Sequence, residues 1–148
     1  METGVKPYRL LVTGSRNWDD ITTIAAAIEQ ALIDSGGRPV IVVHGACPSG
    51  ADRHADHYAR WLRGRGCSVD VEQHPAQGHP TEDFGPWPEC GPFRNKHMVS
   101  LGADACLAFI GPCTSPRCHR PRPHPSHGAS HCAHLAEQAG IPVRRFTA

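Results

Sequence analysis

Three short stretches of the chain concentrate groups that can hold a ligand. The first is Thr13-Gly14-Ser15-Arg16, directly after an apolar run. Gly14 permits a sharp reversal and a close backbone approach, while Ser15 and Arg16 can both donate hydrogen bonds to an anion. A charged hydrogen bond of the Arg–phosphate kind is worth about 1.5–3 kcal/mol. The second stretch is HGACPSGAD, His44 to Asp52, which follows Val40–Val43. Here Ser49 is placed to cap a helix, and Gly50 with Ala51 lets a ligand lie close to the helix start. Gly45 adds a second flexible point. Asp52 suits either the hydroxyls of a ribose or the favourable field of a first helical turn. His44 reads equally well as a core histidine. The stretch is neither a GxGxxG fingerprint nor a loop ending in GK[ST]. The third runs from Trp87 to Met98 and contains Arg94 and Asn95 in the first turn of an expected helix, where a phosphate or carboxylate fits; Trp87 is suited to stack on a base. The plainer alternative packs Phe93 and Met98 inward and leaves Arg94 in solvent.

A separate cluster carries metal-ligand chemistry. Cys113, Cys118, His119, His124, His127, His131 and Cys132 all fall within twenty residues. The spacings C-x4-C and H-x4-H suit zinc, and Cys113, Cys118, His119 and His124 form the candidate set. His127 and His131 lie on one face of a helix. Against a metal stands the segment Pro112–Pro125, with five prolines, three arginines and no acid, which reads equally as a solvated basic flap.

These groups need a scaffold, and the apolar pattern supplies one. Runs of strand length occur at Tyr8–Val12, Val40–Val43, Cys67–Val71, Ala105–Ile110 and Val143–Phe146. Between them lie segments of helical period. Ile21, Ile24, Ala25, Ile28 and Leu32 follow Asp19 or Asp20 as a cap. Ala51, Ala55, Tyr58, Ala59 and Leu62 form a second face, and Ala129, Cys132, Leu135, Ala136 and Ala139 another, stopped by Gly140. A shorter helix opens at Gly91-Pro92 and runs to about Leu101. Wholly apolar strands alternating with helices predict an α/β fold: a Rossmann-like three-layer sandwich with a mostly parallel sheet. Every candidate loop then falls on the carboxyl edge of that sheet, where open α/β sheets bind ligands. One domain spanning 1–148 is expected, with an exposed insertion at 112–125, and the long loop His74–Glu89 is left without regular structure.

Composition narrows the partners. The 148 residues carry 15 basic and 14 acidic side chains, a net charge of +1, which argues against nucleic acid or anionic lipid as the main partner. The opening METGVKPYRLLVTGSRNW has no basic-then-apolar signal pattern, and no run approaches the ~18 apolar residues of a membrane span. Seven cysteines, an odd number set mostly in apolar or turn contexts, read as reduced thiols of a cytoplasmic protein, with Cys67 and Cys106 as core filler.

Taken in order, the motifs GSR, HG-x4-GAD and G-P-F-R-N-x2-M, then a strand, then S-x-G before a helix, resemble the SLOG superfamily. That group is named for the Smf/DprA and LOG proteins, and the branch this chain is most similar to is the YspA-like one. The resemblance covers almost the whole chain outside Pro112–Pro125. It implies a Rossmann-like fold that recognises nucleotides or nucleotide-derived ligands, with Gly14, Ser15, Arg16, Gly45, Gly50, Asp52, Arg94, Asn95, Ser126 and Gly128 at the pocket. Some relatives, the LOG enzymes, hydrolyse the N-glycosidic bond of nucleoside monophosphates with a PGGxGTxxE-like segment bearing a catalytic glutamate. The corresponding Ser126–Cys132 has no double glycine, threonine or glutamate; His131 and Cys132 stand where acids would. The reading that follows is a nucleotide-binding sensor or signalling module, with Ser49 joining the pocket residues as a helix cap. The alternatives are a nucleotide N-glycosidase, a zinc-dependent interaction module and, ranked last, a partner in DNA processing. Relatives of this fold often pair through helices flanking the pocket, so a homo-oligomer is a further expectation.

Overall fold

The computed structural model describes residues 5–147. Five strands and four helices alternate: β1 (Tyr8–Gly14), α1 (Ile21–Asp34), β2 (Val40–His44), α2 (Ala51–Gly64), β3 (Val69–Gln73), α3 (Cys90–Ser100), β4 (Ala105–Ile110), α4 (His127–Gln138) and β5 (Val143–Thr147). The strands form one sheet in the order β3-β2-β1-β4-β5, and every pairing is parallel. The expected Rossmann-like α/β architecture is therefore present, with a sheet that is parallel throughout.

Two interior strands, β1 and β4, explain the unbroken apolar runs. A strand covered by helices on both faces has no polar side to alternate with. Leu10, Val12, Leu107 and Phe109 face α1 and α2, against Ile24, Ile28, Ala55 and Ala59. Leu11, Cys106, Ala108 and Ile110 face α3 and α4, against Met98, Ala129, Cys132, Ala133 and Ala136. Phe109, fully buried, anchors the first layer, stacked on Phe146 at 4.9 Å and tilted against Trp18 at 5.5 Å. Such ring pairs add about 0.5–1.5 kcal/mol each beyond the area they bury.

Boundaries differ from the sequence reading in instructive places. Helix α1 is capped by Asp20, whose carboxylate accepts from the Thr23 amide, and Ile21 is half exposed at its start. The apolar run Cys67–Val71 begins pairing only at Val69, because Cys67 closes the turn that leaves α2, where its amide donates to the Leu62 carbonyl. Cys67 is half-buried beside the first core layer, whereas Cys106 is fully buried, its thiol driven upward by desolvation. Ser49 does not cap α2: it is exposed, and Gly50 is the cap residue, with no side-chain hydrogen bond at the helix start. Among the described residues, no helix is long and apolar enough to cross a membrane.

Candidate functional site

The chain leaves β1 towards β2 on one side and reaches β4 on the other. The gap beyond the ends of β1 and β4 is thus the point where strand order reverses, the usual crevice of such sheets. Three hydrogen bonds define it. The Ser15 amide donates to the Phe109 carbonyl at 2.9 Å, the Gly111 amide donates to Ser15 Oγ at 2.7 Å, and the Ser126 amide donates to the Gly111 carbonyl at 2.9 Å. Ser15 and Ser126, far apart in sequence, are joined through Gly111. The sequence reading did not single out Gly111; its signal was a glycine at the first position after a buried strand.

The N-terminus of α2 enters this crevice from the side. Gly50 sits at φ +73°, ψ −147°, a conformation essentially confined to glycine. A Cβ there would lie 2.5 and 2.6 Å from the carbonyl carbon and Cα of Arg16, and closer still to the Ser15 carbonyl oxygen. The turn after β1 therefore crosses directly over the helix start. Gly14 has a similar reason: its Cβ would collide with that of Ala51. The Ala51 amide is taken by the Ser15 carbonyl at 3.1 Å, while the amides of Asp52 and Arg53 in the first turn have no partner among the described residues. Unpaired amides at a helix start carry partial positive charge. Helix α4 starts the same way, at Ser126 with no side-chain cap.

Arg16 is exposed, and its guanidinium lies over the ring of half-exposed Trp87, 5.5 Å from the centroid. An arginine and an indole at the rim suit a phosphate and a base respectively. The other candidates are turned inward. Asp52 is 7% exposed, and its carboxylate accepts from the Cys47 amide at 3.2 Å and from the Gly45 amide. Burial pushes its pKa up, against the pull of His44, those amides and Arg94. Arg94 is half-buried: it donates to the carbonyls of Gly45 and His74, at 2.6 and 3.1 Å, and to Asn95 Oδ1 at 3.0 Å. Asp52, Arg94 and buried Asn95 thus brace the loop His44–Asp52 from inside. Gly128, in the first turn of α4, has open space where a Cβ would be.

His44 proves to be a core histidine. Its Nδ1 accepts from the Ala46 amide at 2.9 Å, so Nε2 carries the hydrogen and donates to Asp56 at 2.7 Å. Burial alone would raise the Asp56 pKa, yet hydrogen bonds from Arg60, Gln73 and His44 hold it below the usual carboxylate range. A second network pins the loop after β3. Both ring nitrogens of buried His74 meet carboxylates, Glu72 at 2.7 Å and Glu82 at 2.8 Å, and His97 reaches Glu82 at 2.8 Å. The bidentate Arg9 pair, helped by His74, holds Glu72 down to about 2.

Among the described residues, two groups bring metal-capable atoms within 4.8 Å of one another: Cys113, Cys118, His124 and His127, and His74, Glu82 and His97. The second is held at direct hydrogen-bond distances, whereas ligands around zinc stand about 3.3 Å apart or more, so we read it as an ion-pair knot. In the first, His127 occupies the place expected for His119, which is exposed and outside the cluster. The start of α4 turns back over the proline-rich loop, and spacing alone does not reveal that return.

Residues 8–78 match the family model described as YspA, cpYpsA-related SLOG family. Gene 61 protein of Mycobacterium phage D29 is 40% identical over 139 residues, covering 93% of this chain and 95% of that protein. The chain belongs to the YspA, cpYpsA-related SLOG family. A universal stress protein from Archaeoglobus fulgidus aligns over 93% of each chain, at 19% identity and a TM-score of 0.43. Within this SLOG chain the segment matched by the family model carries β1 to β3, and so the Gly14–Arg16 and His44–Asp52 stretches. Arg94, Asn95 and the start of α4 lie beyond it.

Proposed function

We propose that this SLOG-family protein binds a nucleotide or nucleotide-derived ligand in the crevice beyond β1 and β4, as a sensing or signalling module. The observation that carries the reading is the start of α2: a glycine cap, the Asp52 and Arg53 amides, which have no partner among the described residues, and the Ser15–Arg16 backbone lie together at the point of strand reversal. Phosphate is the natural occupant of such a position. Arg16 supplies the cation, Trp87 a face for the base, and the start of α4 a second set of amides. Asp52, Arg94 and Asn95 shape this crevice by holding the Gly45 turn in place.

Binding is favoured over hydrolysis by the acids present. N-glycoside cleavage needs a carboxylate beside an oxocarbenium-like centre. The start of α4 offers none; Cys132 there is buried, and desolvation pushes its thiol up to about 11. Asp52 is committed to its loop and Glu72 to Arg9.

A thermal-shift screen against nucleotides tests the proposal. Ligand at a hundred times its dissociation constant should add about 2.7 kcal/mol, or roughly 5–11 °C for a chain of this size. Arg16→Ala should abolish that shift and leave the ligand-free melting point nearly unchanged, because Arg16 is exposed. No shift across nucleoside mono-, di- and triphosphates, or an unaltered shift in the variant, counts against the site. Release of free base in the same samples, followed by chromatography, would instead favour the hydrolase.

A further inference from the structure

We propose that Cys113, Cys118, His124 and His127 form a closed, structural zinc site that clasps the proline-rich loop onto the start of α4. The four side chains come from two unlike parts of the chain. Cys113, Cys118 and His124 sit on the loop between β4 and α4, and His127 is the first residue of α4. Their donor atoms nevertheless lie within 4.8 Å of one another. Cys118 Sγ is 3.3 Å from His124 Nε2 and 3.3 Å from His127 Nε2. Tetrahedral zinc, with Zn–S near 2.3 Å and Zn–N near 2.05 Å, sets its ligand atoms about 3.3–3.8 Å apart. The spacing thus already approximates a bound site.

The orientation of His124 points the same way. Its Nδ1 meets the Pro121 carbonyl at 2.8 Å and so carries the hydrogen, which leaves the Nε2 lone pair aimed at the sulfur of Cys118. A metal-bound histidine is held in this manner, its outer nitrogen donating to a backbone carbonyl. A lone thiol hydrogen can satisfy only one of the two nitrogens that converge on Cys118. A cation at the centre would satisfy both.

The loop itself is built around this cluster. The Cys113 amide donates to the His124 carbonyl at 2.7 Å, and Pro112 and Pro125 form a bridge at its base. Arg122 donates to the carbonyls of Cys113 and Ser115. Most of residues 114–125 are exposed, so the segment has little apolar core to hold it, the condition under which small elements use a metal. Two thiolates and two imidazoles, with no oxygen ligand, select zinc over magnesium or calcium. Four protein ligands leave no open position, which makes the role structural. Loading replaces two S–H bonds with two Zn–S bonds, and both protons leave to solvent.

The test uses the full chain expressed with zinc supplied and purified under reducing conditions without chelator. Metal content is measured by elemental analysis and native mass spectrometry, with no nucleotide present, so the result does not depend on what the crevice binds. One zinc per chain is expected, falling at least tenfold in Cys118→Ser and in His127→Ala, and retained in His119→Ala. Where a ligand variant folds poorly, cobalt titration of the metal-stripped wild type provides the second reading. It should saturate at one equivalent, with tetrahedral d–d bands and a thiolate charge-transfer band. Zinc well below stoichiometry, a Cys113–Cys118 disulfide seen as a loss of two hydrogens, or loss of the metal in His119→Ala would each overturn the assignment.

Discussion

Replacing Gly50 with alanine puts the geometry at the start of α2 under direct test. Two costs add. The backbone at φ +73°, ψ −147° lies where a side chain is strained, at about 1–3 kcal/mol. The added methyl then overlaps the backbone of Ser15 and Arg16. That backbone cannot easily yield, because the Ser15 amide is tied to Phe109 and its carbonyl to the Ala51 amide. Overpacking of this kind costs a further ~1–3 kcal/mol. A total of about 2–6 kcal/mol is a large share of the ~5–15 kcal/mol that holds a typical domain together. At roughly 2–4 °C per kcal/mol, the melting point should fall by about 4–24 °C. Gly36→Ala is the control: it has φ +63° but open space around it, so only the strain remains, about 1–2 kcal/mol. Urea and thermal unfolding followed by circular dichroism, with unchanged m-values, would measure both. A Gly50→Ala protein that melts no lower than Gly36→Ala would refute the close crossing of the two segments.

Two further expectations follow from single side chains. Gly128 lies in a helix with free space around it, so Gly128→Ala should raise stability by up to about 1 kcal/mol. If the glycine is there to admit a ligand, the same variant loses nucleotide-induced stabilisation; an unchanged ligand shift in thermal melts would remove α4 from the site. The second concerns acid. Arg9 and His74 hold Glu72 down to about 2 in the folded protein, against an ordinary 4.5. A depressed carboxylate stabilises the fold above its unfolded value, and that stability is lost as pH falls from about 4.5 towards 2. With the Glu72 side chain 33% exposed, solvent limits the contribution to about 1–2 kcal/mol. Urea titrations at pH 3 and pH 5 should therefore show a smaller difference for Arg9→Met than for wild type, and equal differences would contradict the assignment.

Much of the fold was legible because each element carries its own signal. The unbroken apolar run Ala105–Ile110 announces a strand covered on both sides, and the spacing of Ala51, Ala55 and Ala59 announces the face of α2. The loops Gly14–Arg16 and His44–Asp52 were legible as neighbours because parallel connections return every strand end to one edge. Less visible was which polar groups in those loops face outward. Asp52 and Arg94 are suited to a ligand by type, yet both turn inward to satisfy backbone groups of the Gly45 and His74 loops. Ser49 has a capping side chain, but the crossing of Ser15 and Arg16 demands glycine at the cap, and the helix starts one residue later. His119 matched a ligand spacing as well as His127 did. The path of the loop after Pro112 decided between them.

Read alone, the sequence determined the order of elements, the parallel sheet, the edge on which the polar loops gather and the SLOG resemblance. All of these follow from local periodicity and from residue types at short spacing. The tertiary structure decided which of those polar groups are free and which brace one another. It also decided that His127 meets Cys118, and that Gly111 joins Ser15 to Ser126. These outcomes depend on contacts between residues 9 to 96 positions apart, set by how loops and strands pack. A buried donor or acceptor takes whichever partner the packing brings within about 3 Å, and chain spacing does not encode that partner.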